Sequence, residues 1–196
     1  MTRKPRGMPA MEALIAVHEA RGHDDIVVTT MTPARDWMTL PPHPLDLVLV
    51  PSAMGHATSM GLGLALAQPE RRVIVCNGDG SMLMNLGSLA SIAGAAAANL
   101  IVIVFENGNY EVTGMQPVPA AGKVDFAAIA RGAGFPAVFA FDSLDAWRAN
   151  VRDAFSAAGP VFVSLRVESV GLPGPRSPGP ARDRARAFMN GLRSTA

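Results

Sequence analysis

The chain carries a single cysteine, Cys76, among 196 residues. That excludes an internal disulfide framework, a cysteine-rich zinc site and an iron–sulfur cluster held by four thiolates. A reducing, cytoplasmic setting is therefore expected. Charge is scarce as well, at 17% of residues, and it is balanced, with 17 basic against 16 acidic side chains. Such a chain has no strong field, so no nucleic-acid partner is expected. Charge is missing altogether from residues 80–105, a stretch long enough to cross a bilayer. Asn85, Ser88, Ser91 and Asn99 interrupt it, and its last part is β-branched. It therefore predicts a buried helix followed by a buried strand, with no membrane span. The basic start MTRKPRG runs into Glu12 before a cleavage site could form, so no secretion signal is expected. With 49% hydrophobic residues, the length predicts one domain with a substantial core.

Periodicity supplies the order of elements. Helical spacing covers residues 9–21, and apolar runs without polar alternation mark strands at 26–30, 45–50, 73–76, 100–105, 137–141 and 160–167. Helices are expected at 60–67, 83–97, 126–132 and 144–157. Alternating strands and helices predict an α/β fold, a three-layer doubly wound parallel sheet with helices on both faces. Ligands in such sheets bind beyond the carboxyl ends of the strands, where the loops SAMGH, NGDGS and ENGNY all fall. We expect residues 1–168 to form this domain. Residues 169–196 are Pro/Gly-rich and then helical, and are expected to be either a loose tail or an arm that docks through Phe188, Met189 and Leu192.

Asp79 stands between two glycines after an apolar strand, where backbone can approach a ligand closely and a carboxylate suits a hard cation. Gly80 and Ser81 offer N–H groups at a helix start, which favours a phosphate-type anion. Carboxylate and anion site together suggest a metal-bridged diphosphate. Asn107, Gly108 and Asn109, at the next strand tip, can add an amide oxygen and a carbonyl oxygen. Taken alone, GDGS is also the composition of an ordinary turn.

The combination is more specific. Gly78-Asp79-Gly80, then 25 residues, then Glu106-Asn107 with Asn109 and Tyr110 behind resembles the signature of thiamine-diphosphate-dependent enzymes, whose second element is usually Asn-Asn. MGHATSMGLGLALAQPERRVIVCNGDGSMLMNLGSLASI with ENGNYEVTG is most similar to the phosphonopyruvate and sulfopyruvate decarboxylases of that family. The resemblance implies that Asp79, the Asn107 side chain and the Asn109 carbonyl hold magnesium on the diphosphate. It also implies that Met54, before Gly55, bends the cofactor from beneath, with the Met54 N–H and the Ser52 carbonyl gripping the aminopyrimidine. Filling the core is the competing role for Met54. Thr30 and Thr32 are the diphosphate contacts the family implies at the first strand end, although Met31 stands where a glycine is expected. His56 is read either as a group near diphosphate or substrate or as a satisfied loop histidine. Glu111 and Tyr110 are candidate cofactor-pocket residues, and Tyr110 is equally a packing residue. His18, His23 and His43 lack metal-like spacing and are read as surface groups.

Enzymes of this type pair a diphosphate-binding domain with a pyrimidine-binding domain, and this sequence has room for the first. The resemblance therefore implies a beta-type subunit of a hetero-oligomer. The activating glutamate lies on an alpha-type, pyrimidine-binding partner, and the reaction is non-oxidative decarboxylation of a small 2-oxo acid to an aldehyde. An acetolactate-synthase-like carboligase subunit and a non-catalytic cofactor-binding module are the alternatives.

Overall fold

The computed structural model describes residues 7–51, 54–169 and 178–194. In chain order it contains α1 (Ala10–Ala20), β1 (Ile26–Thr30), α2 (Met31–Trp37), β2 (Asp46–Leu49), α3 (Ala57–Ala67), β3 (Val73–Gly78), α4 (Asp79–Leu83) and α5 (Gly87–Ala95). There follow β4 (Leu100–Glu106), β5 (Asn109–Tyr110), β6 (Gln116–Pro117), α6 (Phe126–Ala133), β7 (Ala137–Phe141), α7 (Leu144–Ser156), β8 (Val161–Arg166) and α8 (Ala181–Ser194). Six strands form one sheet in the order β2-β1-β3-β4-β8-β7, parallel throughout. This is the three-layer α/β arrangement expected from the sequence.

The layers follow from the two-residue period of a strand. Val27, Ile74, Ile101, Ile103 and Val163 face one side, where they pack with Leu14, Trp37 and Trp147 from α1, α2 and α7. Ile26, Val28, Val75, Val102 and Phe162 face the other, against Leu89 and Ile92 of α5, Phe126 of α6 and Phe188 of α8. Both faces are covered, which explains why the strands read as unbroken apolar runs. The path from β1 leads to β2 on one side, and the path from β3 leads to β4 on the other. The crevice between the β1 and β3 tips is therefore the topological switch point.

Several local expectations are corrected. Residues 31–37, assigned no element from sequence, form α2; it is only two turns long and carries Pro33 in its first turn, too short for a period to show. The single helix expected at 83–97 is two, α4 and α5, broken at residues 84–86. There the Asn85 amide leaves the helix path to donate to the Gly55 carbonyl at 2.9 Å. The helix expected from residue 60 starts at Ala57, and β5 and β6 form a small antiparallel ribbon inside what reads as a loop. His43 is not a free surface group. Its Nδ1 accepts from the Leu45 N–H at 3.2 Å, and burial, then the Arg21 charge, lower its pKa.

The terminal helix docks on its own chain. Phe188 is buried in the core and Leu192 packs against it, while Met189 is exposed. Arg184 donates to the carbonyls of Val48 and Val50, which satisfies acceptors of the edge strand β2 that would otherwise invite another strand. No helix among the described residues is long and apolar enough to cross a membrane.

Candidate functional site

A cleft opens at the switch point and is lined by the tips of β1, β3 and β4, the start of α1 and the turn after β5. Asp79 begins α4 directly after β3 and is 3% exposed. Its two carboxylate oxygens accept from the N–H of Gly80 at 2.8 Å and of Gly108 at 2.7 Å, which binds the β3 and β4 tips together. Burial pushes this carboxyl upward and the two amide donors oppose the shift. Asn107 and Asn109 line the same cleft. The Asn107 side-chain oxygen accepts from the Asn109 N–H at 2.8 Å, leaving its second lone pair free to ligate.

The donor chemistry is that of a hard divalent cation. Asp79, Asn107 and Asn109 line one crevice, and among the described residues no cluster of three His, Cys, Asp or Glu competes as a metal site. Oxygen ligands few in number suit a cation that keeps waters and takes the rest of its shell from a phosphate. Four carboxylates, Asp36, Asp79, Glu111 and Glu168, line the cleft, with no lysine or arginine among its described lining residues. A bare anion is therefore poorly served here and a cation is well served. Gly80 is required by packing, because a Cβ there would lie 2.4 Å from the Tyr110 ring. Tyr110 thus both packs and lines the cleft.

The loop before α3 is fastened to the same region. The Gly55 N–H donates to Ser81 Oγ at 3.0 Å, and half-buried Met54 lines the cleft. Gly78, Ser81, Thr32 and Glu111 line it as well. Thr30 is buried at the end of β1, just before it.

The family of thiamine pyrophosphate enzymes, through their C-terminal TPP binding domain, matches residues 25–165. The chain belongs to the thiamine pyrophosphate enzymes. It is 37% identical to a phosphonopyruvate decarboxylase from Streptomyces viridochromogenes over 95% of this chain and 47% of that one, so it spans about half the length of that relative. It is also 37% identical to sulfopyruvate decarboxylase subunit beta from Methanothermobacter thermautotrophicus, covering 81% of this chain and 83% of that subunit. The fold matches that of a thiamine diphosphate-dependent 4-hydroxybenzoylformate decarboxylase from Rhodococcus jostii with a TM-score of 0.72 at 21% identity, over 88% of this chain and 34% of that one.

Within this thiamine pyrophosphate domain not every sequence candidate reaches the cleft. His56 is exposed, its Nδ1 lies 3.1 Å from the Met54 carbonyl, and it is absent from the lining, which matches the satisfied loop histidine. Ser52 lies outside the described residues. Glu106, which replaces the usual first asparagine, takes the Ser164 hydroxyl from β8 as its partner and lines an adjoining cavity that shares Asp79, Asn107 and Asn109 with the cleft. The substitution therefore leaves Asn107 at the cleft. Sequence reasoning missed Asp36, because α2 was missed, and Glu168 and Ser169 at the end of β8. The one local signal for Asn85 was a polar residue in the apolar run MLMNL.

Proposed function

We propose that this chain is the diphosphate-binding subunit of a thiamine-diphosphate-dependent 2-oxo acid decarboxylase of the sulfopyruvate or phosphonopyruvate type. The observation that carries the reading is the convergence of Asp79, Asn107 and Asn109 on one cleft at the switch point. Asp79, the Asn107 amide oxygen and the Asn109 carbonyl would hold magnesium; the Gly80 N–H is given to Asp79, which leaves the Ser81 N–H as the helix-start donor that would face the diphosphate. Met54 and Gly55 would support the ring end of the cofactor, and the resemblance assigns the carbonyl of Ser52, which lies outside the described residues, to the aminopyrimidine. Once bound, thiamine diphosphate supplies the electron sink for loss of carbon dioxide. This chain's part is to fix the diphosphate, exclude water with Met31, Met54 and Tyr110, and hold its carboxylates in place. The names of the relatives support a substrate with an anionic sulfonate or phosphonate tail.

The pyrimidine end and the activating glutamate would come from an alpha-type partner subunit in a hetero-oligomer. A continuous face supports that partner. Residues 80–105 carry no ionisable side chain, and His56 is the sole one in residues 54–69. Met60 and Leu66 of α3 and Met84 after α4 are exposed. The face runs to the cleft mouth, because Gly55 packs beside Met84 and Met54 lines the cleft. A subunit covering α3 and the turn after α4 would thus also reach the cofactor.

The test is calorimetric titration of thiamine diphosphate with magnesium into the chain, alone and co-expressed with the product of the adjacent gene, followed by carbon dioxide release from sulfopyruvate and phosphonopyruvate. Binding with turnover only in the complex supports the reading. Binding without turnover on any 2-oxo acid points to a cofactor-binding module, and absence of binding in both states refutes the reading.

A further inference from the structure

Glu111 is 6% exposed at the cleft wall, and its two oxygens serve two different segments. Oε2 accepts from the Thr32 hydroxyl at 2.7 Å, and Oε1 accepts from the Ser169 hydroxyl at 2.9 Å. A carboxylate can only accept, so each hydroxyl must be the donor. A threonine hydroxyl has one proton, and that of Thr32 is thereby committed to Glu111. What Thr32 turns to the cleft is lone pairs, which suit a cation or its water shell and repel a phosphate oxygen.

We infer that Glu111 is a positioning residue that withholds the Thr32 proton from the diphosphate and adds a fixed negative charge to the cleft, favouring the cation and disfavouring the bare anion. The inference rests on the cleft reading given above and goes beyond it, because it makes the diphosphate acceptable chiefly as its cation complex. Ser169 anchors the other oxygen, so Glu111 has little freedom to swing away.

The experiment uses the full chain with two simple probes, manganese alone and inorganic pyrophosphate in the presence of a chelator. Glu111→Gln keeps the side-chain shape and removes the charge. Manganese binding should weaken about tenfold and pyrophosphate binding should tighten severalfold, from the Coulomb energy of one charge in a partly buried site. Thermal unfolding without ligands should change little. Opposite signs for the two probes are something a simple structural brace would not produce. A parallel fall of both affinities together with the unfolding temperature overturns the inference, and so does an absence of change in either. Thr32→Val gives a second reading that does not depend on how the first variant folds. It should not weaken pyrophosphate binding, and a loss there would show that Thr32 donates to the anion, overturning the inference. A wild-type chain that binds neither probe, nor thiamine diphosphate with magnesium, overturns the proposed function too. Wild-type binding with an unaffected Glu111→Gln overturns the Glu111 inference alone.

Discussion

Met31 adopts φ 57 directly after β1, a left-handed conformation that costs a non-glycine residue about 1–2 kcal/mol. It lines the cleft, at the position where the family resemblance implies glycine. Met31→Gly should therefore raise stability by about 1 kcal/mol after the extra chain entropy of glycine is offset. It should also tighten thiamine diphosphate binding by clearing the β1 exit. Thermal unfolding and calorimetric titration check the two effects separately. Asp79 works in the opposite direction: it is costly to bury as an anion and useful only to a cation. Its pKa lies above the ordinary 3.8 because of burial, so the unliganded protein loses stability as pH rises through that raised value. A bound cation offsets this loss, so the gain in unfolding temperature on adding magnesium should be larger at neutral pH than in mild acid. Asp79→Ala should abolish that gain and the magnesium-dependent affinity for thiamine diphosphate while the far-UV circular dichroism stays native. Retained affinity would remove Asp79 from the metal site.

At the scale of elements, α1 and α7 are joined by one decisive side chain. Trp147 is fully buried, and its indole N–H donates to the Ala13 carbonyl at 2.9 Å. The ring fills the layer over β7 and β8 with Phe141 at 5.4 Å. Trp147→Phe keeps an aromatic but removes the second donor to the Ala13 carbonyl and leaves a void. It should cost about 2 kcal/mol, read by chemical denaturation, with thiamine diphosphate affinity unchanged because the cleft is built by other elements. A matching loss of affinity would show that α1, whose Ala10 and Leu14 border the cleft, transmits the change. Elements also explain what a reading of the sequence could reach. The strands were legible because both faces of the sheet are covered, so Val, Ile and Leu had no reason to alternate with polar residues. The α4–α5 break was not legible, because it depends on Asn85 reaching Gly55 across 30 residues of chain.

At the scale of the whole molecule, the described residues leave apolar side chains exposed beside the cleft. The terminal helix α8 closes the β2 edge, but α3 and the turn after α4 present exposed methionines beside the cleft mouth. Placing a charge on that face should leave the isolated chain folded, since Met84 is exposed, and should weaken its association with a partner subunit. Met84→Asp is the variant of choice, measured by co-purification and by the mass of the complex in light scattering. An unchanged complex would mean that the partner binds elsewhere.

The sequence by itself determined the layer architecture, the approximate positions of the six main strands and the identity of the cleft loops. Local physics sufficed there: doubly covered strands are uniformly apolar, and Gly-Asp-Gly after such a strand can only stand at its tip. The spacing from Asp79 to Asn107 also survived, because two adjacent parallel strands of equal register bring their tips together. Tertiary structure alone decided what those tips touch. It set Glu111 against Thr32 and Ser169, which are 79 and 58 residues distant, turned Glu106 toward Ser164, left His56 outside the cleft and folded the terminal helix back on its own core. Each of these depends on which segments the sheet order makes neighbours, and hydrogen-bond partners between distant segments leave no period in a sequence.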